Sequence, residues 1–315
     1  MTLILSLASS WFALQVSDRL VTRAGIPFDP IANKNILYIG PDGIISLGYT
    51  GLAYIDGIPT DQWIVEKITG HFFERGERPG AFQMGRLPRW PTLGLAVRGL
   101  HKEFDNVFFG SGMRQNTRDM FFEVVGAGWQ SSRRGRARPV LFGLVKKQAS
   151  DHFELYYGPR HIGRQRILSA TPDANADLLD REALLTRLRS IRSPDEAEDL
   201  LVGLIRSVAL QTDVVGRDCM SILLSPPRFG KARVRYVGVD AVAAEIRSLD
   251  GASTAMPAAF SPWIVGATAV HAPSILSGTF TFNAGAFEVA IEAPDLPGPG
   301  IRGAMGSIVR PRAPR

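Results

Sequence analysis

The chain has 315 residues, of which 45% are hydrophobic and 21% charged. This composition supports a substantial core, in one large domain with an appendage or in two domains, and excludes a largely disordered chain. The net charge is +6, but its clustering in stretches rich in Gly, Pro, Ser or Ala predicts solvated loops, and no nucleic-acid partner is expected. The clustered arginines are Arg133, Arg134, Arg136 and Arg138, and Arg302, Arg310, Arg312 and Arg315.

The sequence gives little support for a metal site, a disulfide, a signal peptide or a membrane-spanning segment. Cys219 is the only cysteine, and its apolar neighbours predict a buried strand residue rather than a nucleophile. The five histidines are scattered without ligand spacing, so we expect no metal and no cofactor. The apolar first 16 residues lack the basic start of a signal peptide, and no later run is long enough to span a membrane. We therefore expect a cytoplasmic protein with no membrane partner.

The first predicted element is a hairpin. A short apolar run ends at a turn formed by Ser9 and Ser10, and hydrophobic side chains then alternate up to Asp18. Asp18 therefore shares a strand face with hydrophobic residues. Because burying an unpaired charge is costly, it needs a partner, and Lys34 is the natural candidate.

A second hairpin and two helices are predicted next. Strands at 35–39 and 44–47 flank the turn Gly40-Pro41-Asp42-Gly43, and Gly48 ends the hairpin. Thr60 is the expected N-cap of a helix whose apolar face runs to Phe72. Another helix is expected from Leu93 to Phe104.

The middle of the chain alternates strands and helices. We predict strands at 121–125, 140–145 and 153–157, a helix at 181–191, and strands at 219–224 and 233–237. Ser193 and Glu196 form a capping box, with Pro194 at the first helical position, and mark the start of a further helix. This order of elements predicts sheets packed together and covered by helices, an α+β architecture.

The composition changes near residue 245, which sets the expected domain boundaries. Residues 1–245 are predicted to form the main domain. Residues 246–293 are rich in small residues and read as short strands at 263–270, 279–282 and 287–291, forming either a β-rich appendage or strands that wrap the main core. Residues 294–315 read as a flexible basic tail.

Four residues near the start have the spacing of a catalytic site. Removal of Met1 would leave Thr2 with a hydroxyl nucleophile and a free α-amine that can act as its base. Asp18, Lys34 and Gly48 follow Thr2 at offsets of 16, 32 and 46. An ammonium such as Lys34 would keep the pKa of the amine low, Asp18 would orient Lys34, and Gly48 could donate its N–H to an oxyanion.

These residues resemble those of the proteasome β-subunit family and its bacterial proteasome-like relatives. The family's mature threonine, aspartate, lysine and oxyanion glycine have the offsets of Thr2, Asp18, Lys34 and Gly48. The segment 17–22 is similar to a family stretch in which the position of Thr22 pairs with the substrate backbone. The resemblance implies an N-terminal-nucleophile (Ntn) hydrolase with a four-layer αββα sandwich. It also implies a ring-like homo-oligomer, with an ATP-dependent unfoldase as a further partner.

The chain departs from the family pattern before the strand at 219–224. The family carries Asp-x-x-Ser-Gly there, whereas this chain has Gln-Thr-Asp-Val-Val-Gly at 211–216 and loses the supporting serine in either alignment. Ser169 and Ser111 are both candidates for a second supporting serine. The leading hypothesis is a threonine peptidase acting on peptide bonds. The alternatives are an inactive scaffold or binding protein, and an Ntn amidase acting on a small-molecule amide.

Overall fold

The computed structural model describes residues 2–23, 26–29, 32–73, 83–84, 87–110, 120–132, 135–147, 150–158, 167–170, 181–238, 243–247, 253–257, 259–266, 269–271, 273, 275–276 and 279–293. The basic tail, Arg133, Arg134 and Ser111 lie outside these ranges. The helices are α1 (Thr60–Thr69), α2 (Leu93–Phe109), α3 (Arg181–Ser190) and α4 (Pro194–Ala209).

The strands as far as α3 are β1 (Ile4–Ala8), β2 (Ala13–Asp18), β3 (Val21–Arg23), β4 (Ile26–Asp29), β5 (Asn35–Gly40), β6 (Gly43–Thr50), β7 (Tyr54–Ile55), β8 (Ile58–Pro59), β9 (Gln83–Met84), β10 (Phe122–Ser131), β11 (Ala137–Lys146), β12 (Glu154–Gly158) and β13 (Ile167–Ala170). Those after α4 are β14 (Cys219–Leu224), β15 (Lys231–Val237), β16 (Ala243–Arg247), β17 (Ser253–Pro257), β18 (Ala259–Phe260), β19 (Trp263–Val265), β20 (Ala269–His271), β21 (Ile275–Leu276), β22 (Thr279–Ala284) and β23 (Phe287–Glu292). The expected α+β class is confirmed.

Two large sheets carry most of the strands. The seven-stranded sheet has the order β13-β1-β2-β14-β15-β23-β22, and the eight-stranded sheet has the order β12-β11-β10-β6-β5-β19-β20-β9. Neighbouring strands pair antiparallel except at two places, where β23 runs parallel to β15 and β19 runs parallel to β5. The hairpins β1–β2 and β5–β6 therefore belong to different sheets.

Three hydrophobic clusters hold the sheets and helices together. The first joins the eight-stranded sheet to α1 and α2, with Phe104, Phe108 and Phe122 at its centre. The second lies between the two sheets and includes Trp129 and Ile222. The third joins the seven-stranded sheet to α3 and α4. Strand β2 of the seven-stranded sheet and strand β6 of the eight-stranded sheet are each buried along their whole length, because both faces of each sheet are covered.

Local sequence signals explain how two of the helices begin and end. The N-cap half of the capping box is confirmed, since Ser193 Oγ accepts the Glu196 N–H at 3.1 Å. The other half differs from the expectation, because Glu196 Oε2 accepts the N–H of Arg192 at 2.9 Å rather than that of Ser193. The expectation that Thr60 caps α1 is wrong: Pro59 occupies the N-cap position, and Thr60 Oγ1 donates to the Leu52 carbonyl. The helical face does not reach Phe72 either, because Gly70 ends α1 in the left-handed conformation, with φ of 66°, and Phe72 is exposed.

The region at 246–293 contributes strands to both large sheets. Its β19 adds to β5, and its β22–β23 hairpin adds to β15. The strand expected at 263–270 is two strands, β19 and β20, which pair antiparallel. No helix within the described ranges is both long enough and apolar enough to cross a membrane.

Candidate active site

A buried ion pair links the two sheets next to the first residues of the chain. Asp18 is the last residue of β2 in the seven-stranded sheet, and Lys34 immediately precedes β5 in the eight-stranded sheet. Lys34 Nζ lies 3.0 Å from Asp18 Oδ2, and the two side chains are 2% and 0% exposed. Lys34 Nζ also donates to the Leu20 carbonyl. The pairing expected from the strand pattern is therefore confirmed.

Backbone amides complete the surroundings of the Asp18 carboxylate. Its Oδ1 accepts the Leu3 N–H at 2.9 Å, and its Oδ2 accepts the N–H groups of Leu20 and Gly216 at 3.1 and 3.0 Å. With Lys34, four donors surround this carboxylate. Such a set satisfies a buried charge that would otherwise be costly, so Asp18 fixes Lys34, the start of β1 and the loop before β14 in one place.

Thr2 lies beside this pair. The Leu3 amide bonded to Asp18 belongs to the peptide unit that begins at Thr2, and Asp18 N–H donates in turn to the Leu3 carbonyl at 3.2 Å. The Thr2 carbonyl accepts from Thr50 Oγ1 at 3.4 Å, which ties it to the end of β6. Thr2 is only 5% exposed, so little of this residue reaches solvent.

Gly48 lies inside β6 and does not end it, because the strand continues to Thr50. It is opposite Asn35 on β5 and Val125 on β10. A Cβ at this position would lie 2.9 Å from Ile4 Cδ1 and 2.8 Å from Asn35 Oδ1. The glycine therefore lets β1 approach β6 closely. The role of Gly48 as an oxyanion donor stays a prediction.

Backbone directions along β6 bear on that role. Tyr49 N–H donates to the Lys34 carbonyl, toward β5. Amides of successive strand residues point to opposite edges, so the Gly48 amide points toward β10. The same alternation, carried one residue past the end of β6, would turn the Gly51 amide toward the Lys34 side. Gly51 directly follows β6, is exposed and has φ of 109°.

The loop between α4 and β14 reaches the site through Gly216. Its N–H bonds Asp18, and a Cβ on it would lie 2.7 Å from Leu20 Cβ. In the same loop Asp213 is exposed and Val215 is buried in the third cluster. Sequence reasoning placed Gly216 only as a departure from a family motif and missed its contact with Asp18.

Thr22 lies on β3, opposite Pro27 of β4.

Buried polar side chains line the space between the sheets next to Thr2. Gln15 is satisfied by Ser6, Ser46 and the Val125 carbonyl. Three other groups have atoms without a hydrogen-bond partner among the described residues: Ser17 Oγ, both amide atoms of Asn35, and Glu123 Oε2. Burial raises the pKa of Glu123 from 4.5 to about 8. No sequence motif marked Glu123.

Cys219 lies at the start of β14 and is fully buried. Burial raises the pKa of its thiol to about 12, so a thiolate is scarce near neutral pH. The expectation of a small core residue is confirmed.

Fold and site together define a mixed α+β protein whose two sheets are bridged by a buried carboxylate–ammonium pair beside the chain start. No protein-family model matches the chain, and no curated protein sequence does. Among solved structures, the chain is similar to a Gly-1 mutant of Anbu from Hyphomicrobium sp. strain MC1, with 13% identity, a TM-score of 0.49, and coverage of 76% of this chain and 88% of that one.

Two further structures have comparable similarity. Anbu from the same Hyphomicrobium strain has 15% identity and a TM-score of 0.47, over 75% of this chain and 88% of that one. Anbu, described as an ancestral beta-subunit, from Yersinia bercovieri has 13% identity and a TM-score of 0.47, over 71% of this chain and 82% of that one.

Proposed function

We propose that this chain is a threonine-type N-terminal-nucleophile hydrolase that cleaves amide bonds, with peptides as its substrate class. The observation that carries this proposal is the buried Asp18–Lys34 pair, held against the peptide unit that begins at Thr2. Burying an ion pair carries a large desolvation cost, and such groups are frequent at catalytic sites. The position of this pair beside a threonine therefore supports a catalytic role.

We propose that the fold is the four-layer αββα sandwich of such hydrolases, formed by residues 1–245. The three clusters support this assignment, because they place helices on the outer face of each of two stacked sheets. For residues 246–293 we propose core-wrapping strands rather than an appendage, since β19 and β23 pair with β5 and β15. The flexible basic tail at 294–315 stays a prediction.

The proposed reaction needs Thr2 as the first residue. Thr2 Oγ attacks the carbonyl carbon, and its proton passes through water to the α-amine of the same residue. The C–N bond of the tetrahedral intermediate then breaks, and the departing amine takes the proton from the ammonium. Water hydrolyses the resulting ester and restores the threonine. Lys34, kept charged by Asp18, disfavours a second positive charge on the α-amine and so keeps that amine available as a base.

For the oxyanion donor we propose the Gly51 amide in place of Gly48. Strand alternation places the Gly48 amide toward β10 and, carried past the end of β6, would turn the Gly51 amide to the Lys34 side. Tight packing against Ile4 explains a glycine at position 48. A crystal structure of a covalent adduct tests this assignment. An adduct oxygen within hydrogen-bond distance of Gly48 N, and not of Gly51 N, would show that it is wrong.

Substrate and assembly follow from the sequence resemblance. We propose that Thr22, on the short strand that follows Asp18, pairs with the substrate backbone, which would favour peptides over small amides. We also propose that the protein is cytoplasmic, forms a ring-like homo-oligomer and receives substrates from an ATP-dependent unfoldase. Native mass spectrometry tests the assembly, and a protein that is monomeric at micromolar concentration would contradict it.

The activity is tested by intact mass and covalent labelling. We expect a mass that lacks Met1 and an adduct with a threonine-directed epoxyketone that joins both the hydroxyl and the amine. The variant Thr2→Ala should fold but not label, and Thr69→Ala is a control, because Thr69 lies at the end of α1. A protein that retains Met1 or gives no adduct would contradict the proposal and favour the scaffold.

A further inference from the structure

Glu123 is a buried carboxyl without a cationic partner among the described residues. It lies near the start of β10 and is only 4% exposed. Its Oε2 has no hydrogen-bond partner within the described ranges. Burial is the cause of its raised pKa of about 8, which shows how poorly these surroundings support the charged form. A buried carboxyl without a partner is costly, and such a group calls for an explanation.

The strand pattern directs this carboxyl toward the chain start. Phe122 and Val124 lie in the first cluster, on the helix side of the eight-stranded sheet. Side chains alternate along a strand, so Glu123 faces the other sheet, where β1 lies. Glu123 is directly opposite Thr50 on β6, and such pairs have Cβ atoms about 4.5–5.5 Å apart. Thr50 Oγ1 in turn donates to the Thr2 carbonyl.

Among the described residues, no ion pair neutralises Glu123. Lys146 is opposite Phe122 rather than Glu123, and its Nζ donates to the Met120 carbonyl beside the rings of Phe108 and Phe109. Lys34 is paired with Asp18 Oδ2, and three backbone amides also donate hydrogen bonds to the two oxygens of that carboxylate.

We propose that Glu123 is a positioning residue for the α-amine that becomes available when Thr2 is the first residue, and that its carboxyl accepts a hydrogen bond from that amine. This inference rests on the proposed function. Removal of Met1 would then place a cationic partner, the Thr2 ammonium, beside Glu123. The carboxylate stabilises the ammonium that forms when the Thr2 hydroxyl gives up its proton, and so makes the amine a stronger base. Glu123 would also support the Thr2 amine in a chain whose 211–216 segment lacks the supporting serine of the family motif.

The test measures the pKa of the Thr2 amine without relying on catalysis. Protein beginning at Thr2, verified by intact mass and obtained directly or by cleaving an N-terminal fusion, is labelled with trace acetic anhydride across pH. The N-terminal peptide is then quantified by mass spectrometry. We expect Glu123→Gln to lower the amine pKa by about one unit or more, because an opposite charge is lost from its vicinity. Glu66→Gln is the matched control, since Glu66 is equally buried but accepts from Gln62 and Phe73 on α1 and the segment after it.

An unchanged amine pKa in Glu123→Gln would overturn the inference. If that variant fails to fold, the wild-type chain still decides. Its melting temperature should fall more between pH 5 and pH 8 when Met1 is retained than when Thr2 comes first, and equal pH dependence would refute the pairing. Epoxyketone labelling is scored separately. Absent labelling with a shifted amine pKa would remove the proposed function and leave the Glu123 contact standing.

Discussion

Breaking the ion pair that bridges the sheets should destabilise the protein unequally from its two ends. In Lys34→Met, the Asp18 carboxylate loses its cation but keeps three backbone N–H donors, from Leu3, Leu20 and Gly216. In Asp18→Asn, the new amide NH₂ group must face donors, and the buried Lys34 ammonium loses the carboxylate of its ion pair.

The structure sets the magnitudes. Removing one member of a buried pair typically costs 3–5 kcal/mol, because an uncompensated charge remains buried. The remaining amide donors place Lys34→Met near the lower end, at about 3 kcal/mol, and Asp18→Asn near the upper end, at about 5 kcal/mol. The double variant should cost less than the sum of the two, since neither charge remains.

Urea denaturation measures these differences, followed by tryptophan fluorescence and far-UV circular dichroism and interpreted where the two transitions coincide. Lys147→Met is the matched control: Lys147 Nζ lies 2.9 Å from Glu154 Oε1, but that lysine is 64% exposed. We expect the control to match the wild type, because exposed pairs contribute little. A Lys34→Met variant as stable as the control, or additive losses in the double variant, would refute the reasoning.

Two further predictions concern the surroundings of this pair. Gly216→Ala should lose about 1–3 kcal/mol of stability in the same denaturation assay, because its Cβ would clash with Leu20. Gly203→Ala, in the exposed face of α4 with open space around it, should gain up to about 1 kcal/mol, and equal effects would contradict the clash. In the chain that retains Met1, folded Glu123 holds a proton up to about pH 8, while the unfolded side chain loses it near pH 4.5. Unfolding free energy should therefore fall as pH rises through this window, by at most about 5 kcal/mol, and thermal melts of Glu123→Gln should lack that slope.

The sequence predicted well what depends on local pattern and on a single charge. Alternation along β2 placed Asp18 among hydrophobic residues, and the cost of burying it indicated a cationic partner. The N-cap at Ser193 depends only on neighbouring residues and was confirmed. The end of α1 was missed because Gly70, rather than the apolar spacing up to Phe72, ends the helix.

Contacts between distant segments could not be read in the same way. The Gly216–Asp18 hydrogen bond depends on how the loop after α4 returns to β2, which no short pattern encodes. Glu123 carried an unused signal, since it is a charged residue between Phe122 and Val124 in the apolar first half of its strand. The sequence left open whether residues 246–293 form an appendage, because the parallel partner of a strand is not fixed by a turn.

The parallel pairing of β19 with β5 has a consequence for synthesis in the cell. Val265 is opposite Tyr38, and the two positions are 227 residues apart (265 minus 38). While the ribosome is still translating the middle of the message, that edge of β5 has no permanent neighbour, and an uncovered edge invites pairing with other nascent chains. Productive assembly should therefore depend on chaperones that shield this edge until the last strands emerge from the exit tunnel.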